Sequence, residues 1–251
     1  RTKSYSTKNY LPTDSYYSMI KRSNGDMWLA SKNDGIIVFN AASGKVRHFN
    51  SKNSIVADQL LYITEDQNGN VCISSRNKGV FLYYNGEFLQ ISKKNGLAEN
   101  HINCVYVDSK QDIWIATASS GIISVKHKDL LDFIKNKEQI LKHKLHYFNN
   151  LDIQPQVLTI TEDKNKRIWF GLFGQGLGFI EEGEIELVPE NEQLISQNIY
   201  SIVYDRLNNK LWTGTDKGLV SISLSENSEA IDFEFFSSSD GFTGVECNRN
   251  S

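Results

Sequence analysis

Six residues stand where a repeating chain can place recognition chemistry. Lys32 and Asn33, Arg76 and Asn77, Phe173, and Asp216 each fall just before a glycine that recurs through the sequence, at Gly35, Gly79, Gly176 and Gly218. Arginine offers a planar fork of donors for a carboxylate or sulfate, and lysine a point charge. Asparagine and aspartate match hydroxyl groups, and an exposed phenylalanine offers a face for stacking. As a ligand-binding set these residues suit a sugar acid or a sulfated sugar; taken singly, each is an ordinary solvated turn residue.

Catalytic chemistry has less support. No Ser–His–Asp set, no paired glycosidase carboxylates and no metal-ligand cluster stand out, so no catalytic residue, no metal site and no cofactor is assigned. The three cysteines, Cys72, Cys104 and Cys247, are odd in number and lack metal-ligand spacing, which argues against a disulfide framework or a zinc site. Cys72 and Cys104 fall in expected strands, where a buried thiol acts as a small apolar side chain. The run DQNGN at 66–70 looks like the start of a calcium loop but lacks the glutamate such a loop needs at its twelfth position, so it reads as a turn cap.

The elements that would position these residues come from a repeat. Five segments align: NGDMWLAS from Asn24, NGNVCISS from Asn68, KQDIWIAT from Lys110, NKRIWFGL from Asn165 and NNKLWTGT from Asn208. Their tryptophan column is Trp28, Cys72, Trp114, Trp169 and Trp212, at intervals of 44, 42, 55 and 43 residues. A glycine column runs in parallel: Gly35, Gly79, Gly121, Gly176 and Gly218. A period of about 40–50 residues holding several short strands is the signature of a β-propeller.

Each unit reads as four strands. The first is Tyr16–Lys21, Leu60–Glu65, Ile102–Val107, Val157–Glu162 or Ile199–Tyr204, without clean apolar–polar alternation, as fits a sheet covered on both faces. A turn follows with Asp66, Asp108, Asp163 or Asp205 at or near its start, where aspartate caps the backbone ahead. The tryptophan strand, the glycine turn, a third strand and an outer strand complete the unit. Pro12, Pro155 and Pro189 all fall outside the expected strands, as ladder hydrogen bonding requires.

The expected architecture is therefore all-β: a single β-propeller region over 1–251 with four-stranded antiparallel blades at about 15–58, 59–100, 101–154, 155–197 and 198–239. Residues 1–14 and 240–251 read as partial blades, which makes the chain an expected excerpt of a ring of roughly six to eight blades. The 55-residue interval places an insertion within 126–150. There Leu130, Phe133, Ile134, Leu141 and Leu145 have approximately helical spacing. The expectation is a short solvated surface helix, with docking or anion contact as the sharper reading, because His127, His143, His146 and six lysines stand against three acids.

Bulk properties narrow the classes. Charged residues make up 23% and hydrophobic ones 39%, an ordinary globular balance, and a net charge of −3 gives no reason to expect nucleic acid or an anionic membrane surface as partner. No apolar run approaches the length that crosses a bilayer.

The phrase Asp-x-x-Gly/Asn-x-Ile-Trp-x-Gly/Ala-Thr-x-x-Gly-Leu/Ile resembles the two-component regulator propeller repeat. So do NGLAENHINCV at 95–105 and YLPTDSY at 10–16, while SDGFTGVECNRNS at 239–251 resembles the approach to a late blade of such sensors. The departures are Cys72 for a tryptophan, Gln111 and Lys166 for turn glycines, and the insertion. The resemblance implies a non-catalytic ligand-sensing module: the extracytoplasmic, periplasmic portion of an inner-membrane regulator of Bacteroidetes type. Its ligand would be glycan-derived or another small molecule. Immunoglobulin-like and signalling domains of the same polypeptide, ending in a kinase or transcriptional output, would be its partners, with a homodimer also compatible. A protein-interaction scaffold is the alternative, and a propeller hydrolase or lyase the third; against sialidases, the Asp-to-Trp spacing is one residue too long for their Asp-box.

Overall fold

The computed structural model describes residues 6, 11–13, 15–52, 59–136, 140–148, 155–241 and 247. Most of the two expected partial blades lies outside them. The first blade holds β1 (Tyr16–Lys21), β2 (Asp26–Ser31), β3 (Ile36–Asn40) and β4 (Val46–Phe49), and the second β5 (Leu60–Glu65), β6 (Val71–Ser75), β7 (Gly79–Tyr84) and β8 (Glu87–Ile91). The third has β9 (Ile102–Val107), β10 (Ile113–Thr117) and β11 (Ile122–Val125), then helix α1 (His127–Lys135) and β12 (Lys144–His146). The fourth and fifth follow as β13 (Val157–Glu162), β14 (Ile168–Leu172), β15 (Leu177–Glu181) and β16 (Glu184–Leu187), then β17 (Ile199–Asp205), β18 (Lys210–Thr215), β19 (Gly218–Leu224) and β20 (Ala230–Phe236). Every sheet has four strands in sequential order. The fold is all-β, built of antiparallel four-stranded propeller blades.

The chain divides into two compact units, Arg1–Val107 with Lys128–Lys142, and Asp108–His127 with His143–Ser251. In the first, the Trp28 face of blade one (Trp28, Ala30, Ile36, Val38) packs on the Ile63, Ile73 and Phe81 face of blade two. Phe49, Tyr83 and Phe88 extend that core as an aromatic cluster, with Trp28 and Tyr83 centroids 4.9 Å apart. In the second, the Trp169 face of blade four, with Leu177, Phe179 and Val188, packs on Ile202, Leu211, Val220 and Ile222 of blade five. One rule covers both: the tryptophan face of a blade is covered by the opposite face of the next. Truncating one of these fully buried tryptophans to alanine would cost roughly 3–5 kcal/mol.

The insertion differs from its expectation in two ways. Leu145 lies not on a helix but on β12, which pairs with β11 as the outer strand of the third sheet. The ladder needs a fourth strand there, and that demand overrides helical spacing. Nor is the segment merely decorative: Leu130, Phe133 and Leu141 are buried, and the Leu141 backbone N–H donates to the Asn95 carbonyl at 2.9 Å.

The aspartate column caps its turns as expected. Asp108 Oδ1 accepts from the backbone N–H groups of Lys110 and Asp112, and Oδ2 accepts from Trp114 Nε1 at 2.9 Å. Asp163 repeats this with Asn165, Arg167 and Trp169 Nε1, the last at 2.8 Å. Asp66 accepts from Asn68, Asn70 and the Asn70 side chain, which is a turn cap. In the first unit the Asp–Trp pair is split. Blade two keeps Asp66 but has Cys72, whose thiol burial pushes up to about 12, with the nearby Asp66 charge adding to the effect. Blade one keeps Trp28 but has Arg22 in the aspartate position, and the buried Trp28 Nε1 has no partner among the described residues. The Arg22 guanidinium instead lies over the Trp28 ring at 5.3 Å and bridges to blade two through Glu65 Oε1 at 2.7 Å and the Gly69 carbonyl.

The glycine column has a steric cause. Gly79 has φ of 83°, and a Cβ there would lie 2.1 Å from the Ile91 carbonyl oxygen at the end of the outer strand. By contrast, Gln111 and Lys166, which stand for turn glycines on the other side of the blade, adopt φ of 66° and 71° despite their side chains. Replacing Gly79 with alanine combines left-handed strain with a backbone clash and should destabilise by about 3 kcal/mol or more. Lys166→Gly should instead stabilise, by at most about 1 kcal/mol, because it relieves left-handed strain in an open turn. Chemical denaturation of both variants measures the two signs.

β12 also buries a histidine. The His146 ring lies 5.4 Å from the Trp114 ring. Its Nδ1 is 3.3 Å from the Gly183 carbonyl, which can only accept, so Nδ1 carries the proton and Nε2 accepts from the Ser124 hydroxyl at 2.9 Å. Burial, with Lys144 and Lys126 nearby, lowers its pKa from 6.5 to about 4, against the raising effect of the Gly183 hydrogen bond. Between those values the unfolded chain binds the proton that the folded chain refuses. Stability is therefore full above pH 6.5 and falls as pH drops towards 4. The loss from pH 7 to 5 should be no more than about 2 kcal/mol and should shrink in His146→Gln, read by thermal melts across pH.

Candidate functional site

The turn between the second and third strands is held by a hydroxyl in four of the five blades, from Ser31, Ser75, Thr117 and Thr215. Ser75 Oγ donates to the Gly79 carbonyl at 2.8 Å and accepts from the Lys78 N–H at 3.0 Å. Thr117 does the same with Gly121 and Ser120, and Thr215 with Gly218 and Lys217. Blade four has Leu172 at this position, and there Asn191 takes over. Its Oδ1 accepts from the Leu177 N–H and its Nδ2 donates to the Leu177 carbonyl, both at 2.8 Å.

The first turn residue then ties to the loop that leads into the blade. The backbone N–H of Lys32 donates to Ser15, that of Arg76 to Gln59, and that of Phe173 to Gln156, at 2.9–3.0 Å. Turn and incoming loop thus meet at one end of the first, second and fourth sheets. The residue before the first strand is polar in every repeat: Ser15, Gln59, His101, Gln156 and Asn198. That column is the signal that leads from the turn residues to their neighbours.

In the first unit, Lys32, Asn33, Arg76 and Asn77 are all exposed in the turns of blades one and two. Arg76 Nη1 donates to Gln59 Oε1 at 2.9 Å, which leaves most of its fork open to solvent. Lys93 and Lys94, in the short 3-10 turn after β8, are exposed as well, so this end of blades one and two carries an excess of positive charge. In the second unit, Phe173 and Asp216 come together through a residue that the turn column does not include. Asn198 Oδ1 accepts from the Gly174 N–H at 2.9 Å, and Asn198 Nδ2 donates to Asp216 Oδ2 at 2.8 Å. Phe173 stands beside this relay with half its surface exposed, at 50%.

The relay is charged and only partly saturated. Burial alone would push the Asp216 carboxyl up, but hydrogen bonds from Ser196 and Asn198 and the charge of Lys217 hold it below the usual carboxylate range. Asp216 is therefore ionised at neutral pH. Asp216 Oδ1 and Gln175 Oε1 are both buried acceptor atoms without a conventional hydrogen-bond partner among the described residues.

Comparison with known proteins places this geometry. Residues 96–119, which run from the loop before β9 through the turn after β10, match the model of the two component regulator propeller family. This stretch is a two component regulator propeller repeat. The other four blades repeat its glycine column, and most of them its aspartate and tryptophan. No curated protein matches the chain in sequence. Among solved structures, the chain is similar to the extracellular domain of a hybrid two component system from B. thetaiotaomicron, at 21% identity and a TM-score of 0.72 over 94% of this chain and 30% of that one. A one component system from the same organism has an extracellular domain similar at 16% identity and a TM-score of 0.68, over 94% of this chain and 29% of that one. The chain thus spans under a third of these relatives' length. A catalytically inactive virginiamycin B lyase from Staphylococcus aureus, solved with quinupristin, is similar at 14% identity and a TM-score of 0.65, over 89% of this chain and 70% of that one. At these identities the likeness is one of propeller fold.

Asn198 is the joint of this arrangement. Asn198→Ala removes the acceptor of Gly174 and the donor to Asp216, and should raise the Asp216 pKa towards its ordinary value, as measured by carboxyl titration in NMR.

Proposed function

We propose that this chain is a ligand-sensing part of a signal-transduction regulator, held outside the cytoplasm, with its output domains elsewhere in the polypeptide. Two findings support the reading: the regulator-propeller repeat at 96–119, and the similarity to extracellular domains of hybrid two component and one component systems. The observation that carries it is the Phe173–Asn198–Asp216 arrangement. An exposed aromatic face beside a fixed carboxylate and amide is what a sugar ring needs, with its C–H face stacked and its hydroxyls donating. The ligand is a glycan-derived or similar polyhydroxy small molecule. Lys32, Asn33, Arg76 and Asn77 would take carboxylate or sulfate groups on ligands that carry them.

Calorimetric titration against a panel of neutral and acidic oligosaccharides tests this. The expected result is a binder whose affinity falls about tenfold, or about 1.4 kcal/mol, in Phe173→Ala. Binding should fall further in Asp216→Ala. If an acidic ligand binds, Arg76→Ala should weaken it and make its salt dependence shallower. A panel without any binder, or a binder indifferent to Phe173 and Asp216, sinks the reading. Turnover of a ligand on the panel would instead make the protein a propeller hydrolase or lyase.

A further inference from the structure

The net charge of −3 conceals a strong asymmetry. Residues 181–240 hold thirteen Asp and Glu against three Lys and Arg, a net charge of −10, while the rest of the chain carries +7. Part of this charge lies along the outer edge of blade five. Asp232 and Glu234 are exposed on β20, and Glu226 and Glu229 are exposed in the turn that leads into it. Lys164 Nζ lies 2.8 Å from Glu226, and Lys210 Nζ lies 3.9 Å from Glu234. Glu229 and Asp232 have no ion-pair partner among the described residues.

A strand at the outside of a sheet leaves alternate backbone N–H and C=O groups unpaired, and proteins blunt such edges by keeping them short or by placing lysine or proline there. The outer strands β4, β8, β12 and β16 have three to five residues. By contrast, β20 has seven, Ala230–Phe236, with no lysine, arginine or proline among them. It is the last strand of its sheet, and past a bulge near Ala230 its residues Asp232–Phe236 pair with β19 in unbroken register. Ile231 and Phe235 are 63% and 37% exposed. A long edge with exposed apolar side chains is a template for strand pairing.

Charge selects the partner. Two β20 strands from separate copies, paired antiparallel about Phe233, would set Asp232 against Glu234 twice, and like charges directly opposite destabilise a ladder. Lysine or arginine opposite those carboxylates has the reverse effect. We propose that β20 accepts a basic extended segment of another protein as a fifth strand. Such a segment alternates basic side chains, opposite Asp232 and Glu234, with apolar ones opposite Phe233 and Phe235, because successive residues of a strand point to opposite faces. Phe233 already packs on the core between blades four and five, so the apolar side chains extend an existing surface. Main-chain hydrogen bonds hold the segment, and the alternation of charge selects it.

The probe is a blocked peptide of alternating lysine and valine, matched in length to β20 and titrated into the isotope-labelled 251-residue chain. Slowed amide exchange should be confined to 230–236, and affinity should fall with added salt. Binding should weaken at least about tenfold in the double variant Asp232→Lys, Glu234→Lys. That variant should in turn bind a glutamate–valine peptide that the natural chain refuses, a gain that an unfolded variant could not show. Control peptides, one with its lysines in a single block and one N-methylated along one edge, should bind at least about tenfold more weakly. Equal binding of the controls, or binding without protection at 230–236, reduces the effect to charge adsorption and overturns the proposal. So does a lysine–valine peptide that fails to bind. A dimer in sedimentation with β20 protected overturns it as well, since a second copy would then be the occupant. No outcome depends on ligand binding at Phe173 and Asp216, which lie on turns outside β20.

Discussion

The inner strands of blades two, three and four are buried on both faces, and each of those faces has to be covered. This constraint accounts for most of what the chain does with its sequence. Strands such as β6, β10, β13 and β14 are buried at every position, so none of them shows the alternation of a half-exposed sheet. The tryptophan column marks one of the two faces and the Ile63, Ile73 or Ile202 positions mark the other. Tight stacking in turn forces the small residues. Glycine stands where a neighbouring carbonyl or an incoming strand comes within van der Waals range, as at Gly79 and Gly171.

Much of this was legible in the sequence because the features are periodic. The first strands of the first four blades have the bounds read from their apolar runs. The insertion was read only in part because it occurs once: its short helix is there as α1, but its strand was not foreseen. Nothing in one copy distinguishes a helix that continues to Leu145 from a helix that stops at Lys135 and hands over to a strand. The requirement for a fourth strand beside β11 decides it, and that is a property of the sheet, not of the segment. The candidate site was half legible for a similar reason. The turn column exposes Phe173 and Asp216, but Asn198, which joins them, belongs to a loop whose length varies between blades. Its side-chain hydrogen bonds to Gly174 and Asp216, which the sequence does not show, bring that residue into the site.

Where the repeat departs from itself, the losses come in matched pairs. Blade one has the tryptophan without its aspartate and blade two has the aspartate without its tryptophan, and Arg22 makes new contacts to both the orphaned ring and the neighbouring blade. In blade four the hydroxyl that pins the turn is missing, and Asn191 instead holds both backbone groups of Leu177, the residue after the turn glycine, from a different loop. These exchanges show that the quantity preserved is the saturation of a turn or the covering of a ring, and not the residue that provides it. They also free the turn residues themselves to differ, since the turn is held by its neighbours.

The sequential order of strands in every sheet has a kinetic side. Each strand pairs with the one just before it, so a sheet is completed by closing loops of a few residues in succession, at little entropic cost. Contacts of this kind keep contact order low for an all-β chain, and they allow a blade to form as soon as its own segment is free. The third sheet is the exception. Its outer strand lies beyond α1, at Lys144–His146, so its closure spans the whole insertion. That sheet is the step at which an emerging chain would pause.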